Sequence, residues 1–143
     1  MKALRTRLFP ALLLATWLLS GPALADDAVK VVYHLPDDQA AMLAMMNASN
    51  HLASDPTAKI VVVALSRGVK AFVFGAQDPT GKPYADWVDQ LTARGVEFRM
   101  CQNTMTALKI AKGDLVDKVQ IVPSGVAEIA RLQNREGYAY IRP

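Results

Sequence analysis

The 143-residue sequence has one cysteine, Cys101. A lone thiol excludes an internal disulfide, so the fold has to stand on its apolar core. Histidine is almost as scarce, with only His34 and His51. The two cannot share a metal ion with Cys101. His51 lies about 14 residues along the helix expected after His34, and at ~1.5 Å per residue that carries it ~21 Å away. No Ser-His-Asp order, paired carboxylate motif or cofactor fingerprint is present. Gly75 to Lys82 has one residue too many for a phosphate-binding P-loop, and Pro83 stands where Ser or Thr is needed. Neither a metal nor an organic cofactor is therefore expected, and whether the chain is a true catalyst stays open.

Two further absences concern charge and apolar length. The chain has 16 Lys+Arg and 13 Asp+Glu, but Lys2, Arg5 and Arg7 fall in the first 25 residues, leaving 13 of each sign. The basic balance thus belongs to the N-terminus, and nothing electrostatic points to nucleic acid or an anionic membrane. The apolar run Leu8 to Leu19 is too short for a comfortable membrane span.

What is present at the N-terminus reads as an export signal: a basic start, that apolar run, and Ala23-Leu24-Ala25 as a cleavage site. No cysteine follows for a lipid anchor, and Arg5 and Arg7 are not adjacent, as a twin-arginine signal requires. Residues 26–143 are expected to form one domain, periplasmic in a cell with an outer membrane and free of the membrane after cleavage.

Apolar, β-branched runs predict strands over Val29–Leu35, Lys59–Leu65, Val96–Met100, Val119–Val122 and Tyr138–Arg142. Between them, helical patterns run from Asp37 to about Ser54, from Tyr84 to Gly95, from an Asn103 or Thr104 cap to near Gly113, and from a Ser124 cap to about Asn134. Val69–Phe74 fits either a short helix or a strand. Met42, Met45 and Met46 recur at helical spacing and are read as core packing. Tyr84 and Trp87 are read as core or subunit interface. Alternating strands and helices imply an α/β fold with a largely parallel sheet and helices on both faces.

Ligands of such sheets gather beyond the carboxyl ends of strands. Those ends carry His34, Ser66 and Arg67, Cys101 and Gln102, and Ser124. Cys101 opens onto a helix N-terminus, which favours a thiolate, and Arg67 and Arg99 are candidates for added positive charge. The same thiol is also compatible with a packed, inert cysteine, because free Cys is among the most buried residue types. A redox sensor that dimerises through Cys101 is a third reading.

Val96-Glu97-Phe98-Arg99-Met100-Cys101-Gln102-Asn103-Thr104-Met105, Ile121 to Gln133 and Glu136 to Pro143 resemble the DsrE/DsrF-like family. Lys30 to Leu35 and Ala58 to Phe74 fit the same pattern, so the resemblance spans residues 26–143. It implies a three-layer α/β/α domain with a five-stranded parallel sheet, assembled as a homo-oligomer, a trimer or a hexamer. It further implies that Cys101 carries sulfur as a persulfide and passes it to a thiol-bearing partner protein, with Asn103 and Thr104 lining the site. His34, Ser66, Arg67 and Ser124 complete the expected site. The chain departs from its relatives in having Leu65-Ser66-Arg67-Gly68 where many have a His-Gly-Pro-Gly segment. Arg67 is the expected substitute partner for an anionic sulfur species. Export is the second departure, since the relay that the resemblance implies is cytoplasmic.

Overall fold

Five parallel strands form one sheet: β1 (Lys30–Leu35), β2 (Lys59–Ala64), β3 (Glu97–Cys101), β4 (Val119–Val122) and β5 (Ala139–Ile141). They lie in the order β4-β3-β2-β1-β5. The computed structural model describes residues 28–143, so the export signal read at residues 1–25 lies outside the described residues. The helices are α1 (Ala41–Ser54), α2 (Tyr84–Thr92), α3 (Gln102–Leu108) and α4 (Gly125–Glu136). Short 3-10 segments cover Asp38–Ala40, Ser66–Phe72 and Lys112–Asp114. The ambiguous stretch before Phe74 is thus mostly 3-10 helix. The α/β fold and five-stranded parallel sheet agree with the sequence reading. Among the described residues no helix is long and apolar enough to cross a membrane.

Handedness explains the layers. The steps β1 to β2 to β3 to β4 all move the same way across the sheet, so right-handed crossovers put their helices on one face. The return from β4 to β5 runs the opposite way, and the same rule sends α4 to the other face. The burial pattern agrees. Val31, Tyr33, Ile60, Val62, Phe98 and Met100 point into the large core beneath α1, α2 and α3. Val32, Val61 and Val63 point the other way, onto Ile129 and Leu132 of α4.

Three local details differ from the sequence reading. In α1 the buried stripe is Ala41, Ala44, Met45, Ala48 and Leu52. Of the methionine trio only Met45 is fully buried, and Met46 is 40% exposed. Alanine fills three of these five buried positions, so small side chains rather than the methionines make up most of the stripe. Cys101 itself holds the N-cap position of α3, ahead of Asn103 and Thr104. That helix also ends a turn early, at Lys109 in left-handed conformation (φ 56°). There the Ile110 N–H donates to the Met105 carbonyl at 2.9 Å, a bond that closes helices without glycine being required. By contrast α4 begins and ends as expected. The Ser124 hydroxyl accepts the Ala127 N–H at 3.4 Å, and Gly137 closes it at φ 74°.

Candidate functional site

Topology singles out one place on the carboxyl edge of the sheet. Beyond β3 the chain turns into α3 on one face, and beyond the adjacent β4 it turns into α4 on the other. Where neighbouring strands send their chains to opposite faces, a crevice opens at their carboxyl ends. Cys101 is the last residue of β3, paired in register with Val122 of β4. Its side chain shares the α4 face with Arg99, as alternation along β3 requires.

Cys101 is 6% exposed. A Cβ built on Gly125 would lie 3.1 Å from the Cβ of Cys101 and 3.1 Å from both Cβ and Cδ2 of Leu65. The first turn of α4 therefore packs directly on Cys101 and Leu65 because residue 125 has no side chain. Burial pushes the thiol pKa up. Hydrogen bonds from the Gly125 backbone, the Thr104 hydroxyl and the Thr104 and Asn103 backbones outweigh it, so the thiol lies below its ordinary value. Cys101 makes no side-chain capping hydrogen bond to α3. The lowered pKa makes the nucleophilic thiolate accessible at lower pH than in an isolated cysteine.

The predicted site residues divide into two groups. Ser66 and Thr104 come together: the Ser66 N–H donates to Thr104 Oγ1 at 3.0 Å, and Thr104 is among the groups that lower the pKa of the thiol. Asn103 contributes its backbone, while its side chain is exposed. Ser124 lies beside Gly125, with its hydroxyl occupied in capping α4. His34 stands apart. It is in register with Val63 and Arg99, two strands from β3 and so about 10 Å away across the sheet. Its Nδ1 is 2.6 Å from the Tyr140 hydroxyl. His34 also lies on the opposite face from His51, whose Nδ1 meets the Tyr33 hydroxyl at 3.2 Å under α1.

The two arginines expected to add positive charge do not supply it freely. Arg67 is 58% exposed and pairs with Asp37 and, at 4.0 Å, with Asp38. The Arg67 hydrogen bond holds the Asp37 carboxyl at about 2. Arg99 pairs with Glu97 at 2.6 Å and with Glu128. Both guanidinium charges are therefore balanced by carboxylates, and the polarisation of Cys101 comes from neutral N–H and O–H donors. Gly125 is the residue that the sequence reading missed. Its signal was available: a glycine directly after the Ser124 cap, where a helix start has to approach a neighbouring strand end.

A sequence model described as the DsrE/DsrF-like family matches residues 28–143. Among solved structures, the chain is similar to the protein of unknown function MTH1491 from Methanobacterium thermoautotrophicum. The two are 37% identical with a TM-score of 0.70, over 80% of this chain and 99% of that one. It is also similar to the YchN protein from E. coli, at 16% identity and a TM-score of 0.67, over 81% of this chain and 99% of that one. The second likeness concerns the fold alone. No curated protein matches.

Proposed function

This chain belongs to the DsrE/DsrF-like family, and on that premise we propose that it is an exported sulfur carrier whose Cys101 holds sulfur as a persulfide. The observation that carries this reading is the setting of the thiol: the only cysteine of the chain, at the crevice between β3 and β4, with its pKa lowered in spite of burial.

The chemistry is thiol exchange. The Cys101 thiolate attacks a sulfane sulfur of a donor such as an inorganic polysulfide. One S–S bond of the donor breaks, and its electron pair leaves on the shortened polysulfide anion. Cys101 becomes a persulfide anion. A thiolate of a partner protein then attacks the outer sulfur, takes it as its own persulfide, and releases the Cys101 thiolate. Sulfur is only passed between thiols, so the exchange itself calls for no metal or organic cofactor. Treated with polysulfide, the protein is expected to gain the mass of one or more sulfur atoms and to lose it with reductant. Equal loading of Cys101→Ser would sink the proposal.

Export by residues 1–25 and assembly as a trimer or hexamer belong to the same proposal. The protein recovered from the periplasmic fraction should have the mass of residues 26–143, and light scattering should give three or six times that mass. An unprocessed cytoplasmic chain or a stable monomer would remove these parts.

The burial of Cys101 at 6% exposure favours a second reading. In it the protein is a non-catalytic module that binds a small ligand or a protein, and the cysteine is packed and inert. Native Cys101 would then react with an alkylating reagent far more slowly than the unfolded chain does. Labelling at the unfolded rate excludes that reading.

A further inference from the structure

Resting on the assembly proposed above but not on its sulfur chemistry, we propose that Phe74 and the hollow beside it form a twofold contact surface for a second copy of this chain. That contact would join two trimers into a hexamer.

The first support is the ring. Phe74 is 81% exposed, against 63% for Val126, the next of the large apolar side chains among the described residues. It does not hang from a loose loop. Its N–H donates to the Asp114 carbonyl at 2.7 Å, and the Val116 N–H donates to the Phe72 carbonyl at 2.9 Å. Val73, between them, bridges antiparallel to Leu115. Residues 72–74 and 114–116 thus form a short ladder, and a fixed backbone holds the ring out in water. Apolar side chains scattered singly on a surface need no explanation. Phe74 is different because it is rigidly presented and stands at the margin of a hollow that would take it.

The second support is that hollow. Its volume is about 460 Å³, and Ala85, Leu115 and Val116 give it apolar walls beside Phe74. Pockets of this size take whole small molecules, so one aromatic ring fits. The segment Leu115–Lys118 also borders a second hollow along Val119 and Ile121 of β4, the strand at the open edge of the sheet. Ring and hollow therefore belong to one patch. A twofold axis between them lays each ring over the hollow of the other copy, which makes the patch complementary to itself. Aromatic side chains are enriched at the cores of such contacts.

Charge favours the same occupant. Asp89 and Asp117 line the hollow together with Lys118, and Asp89 pairs with Lys118 at 2.6 Å. A lining with both signs of charge accepts a copy of itself, whereas a strongly acidic or basic partner finds no matching field there. A threefold ring repeats its contacts head to tail and has no twofold axis, so this patch is left over for joining one trimer to another.

Light scattering of the purified protein tests the surface, with circular dichroism as the check on folding. The wild type should have the mass of a hexamer. Phe74→Asp should show a twofold drop in mass, to a trimer. Phe74→Leu, which keeps an apolar knob, should stay with the wild type. So should Val126→Asp, which puts the same charge on another exposed apolar position. If Phe74→Asp does not fold, Phe74→Ala decides, with the same twofold drop expected. A wild type that is a trimer or a monomer overturns the proposal. So does a folded Phe74→Asp of unchanged mass, or an equal drop in Val126→Asp, because the ring would then have no special part. The readings fail separately. A dimer that Phe74→Asp splits keeps this surface and removes the threefold. A mass that halves in a protein that polysulfide cannot load keeps the surface and removes the carrier, and loading with an unmoved mass does the reverse.

Discussion

Beneath α1, α2 and α3, the sheet buries Phe72, Phe98, Met100, Leu91 and Met105 in one continuous apolar core. On the opposite face α4 works alone, with Ile129 and Leu132 on Val32, Val61 and Val63. Charged groups fill much of what remains there. Arg99 joins Glu97 and Glu128, and Arg131 joins Glu128 and Glu136. The chain supplies three successive crossovers to one face and a single returning helix to the other, so one face has apolar material to spare and the other does not. Stability therefore concentrates on the first face, while on the second the position of a helix rests partly on ion pairs. Cys101 lies at the seam, where a shift of α4 by a fraction of an ångström changes what faces the sulfur.

The largest effect should come from the well-covered face. Phe98 is fully buried, with its ring centroid 5.6 Å from that of Phe72. Phe98→Ala should cost about 3–5 kcal/mol through lost burial and the cavity left behind. Denaturant unfolding measures it. A loss below about 1 kcal/mol would mean that this core is not the main source of stability.

A middle-sized effect should come from α4. Glu128 and Arg99 have side chains only 12% and 13% exposed. Glu128→Gln should cost about 2 kcal/mol, in the range for hydrogen bonds to charged groups. It should also acquire a pH signature. Hydrogen bonds from Arg131, and then Arg99, hold the Glu128 carboxyl below its ordinary value against the effect of burial. A depressed carboxylate stabilises above its unfolded value of about 4.3, and that contribution is lost as pH falls through the folded value. The gap between wild type and Glu128→Gln should therefore close in acid. A gap that persists there would mean that packing, rather than charge, seats α4.

Cys101→Ser should be smaller still, about 1 kcal/mol or less, since one sulfur is exchanged for an oxygen among donors already present. Its effect on alkylation and sulfur loading should nevertheless be total. A large loss of stability would favour the packed, inert cysteine over the reactive one.

The two faces also differ in how readily the sequence discloses them. The strands were legible because runs such as Ile60-Val61-Val62-Val63 are β-branched and buried on both sides. Ser124 and Gly137 marked α4 by their own chemistry. The alanine stripe of α1 was not legible, because the methionines carry the stronger hydrophobic signal while alanine fills most of the buried positions. The end of α3 was missed because Lys109 takes the left-handed role usually given to glycine. The surroundings of Cys101 were only half legible. Thr104 is its near neighbour in sequence, but Gly125 arrives from a different strand and helix, and strand order is not written in any local pattern. The arginines misled for the same reason: Glu128, far along the chain, claims Arg99.

The smallest effect tests how wet the thinly covered face is. His34 lies on that face near the β1–β5 edge, with Nδ1 bound to Tyr140 and Nε2 buried without a hydrogen-bond partner. Burial, and after it the charge of Arg142, push its pKa below the ordinary value. The folded protein thus binds this proton less readily than the unfolded chain. The stability that His34 contributes is present above the unfolded value of about 6.5 and is lost as pH falls through the folded one. His34→Gln should flatten the decline in stability as pH falls below about 6.5, by less than about 1 kcal/mol. Melting temperatures of the two proteins across that range measure it. Parallel curves would mean that the imidazole titrates alike in both states, so that the β1–β5 edge is as solvated as the unfolded chain. A flattened curve would mean that even the sparser face excludes water up to its last strand, and that the α4 layer seals more of the sheet than its two buried apolar side chains, Ile129 and Leu132, suggest.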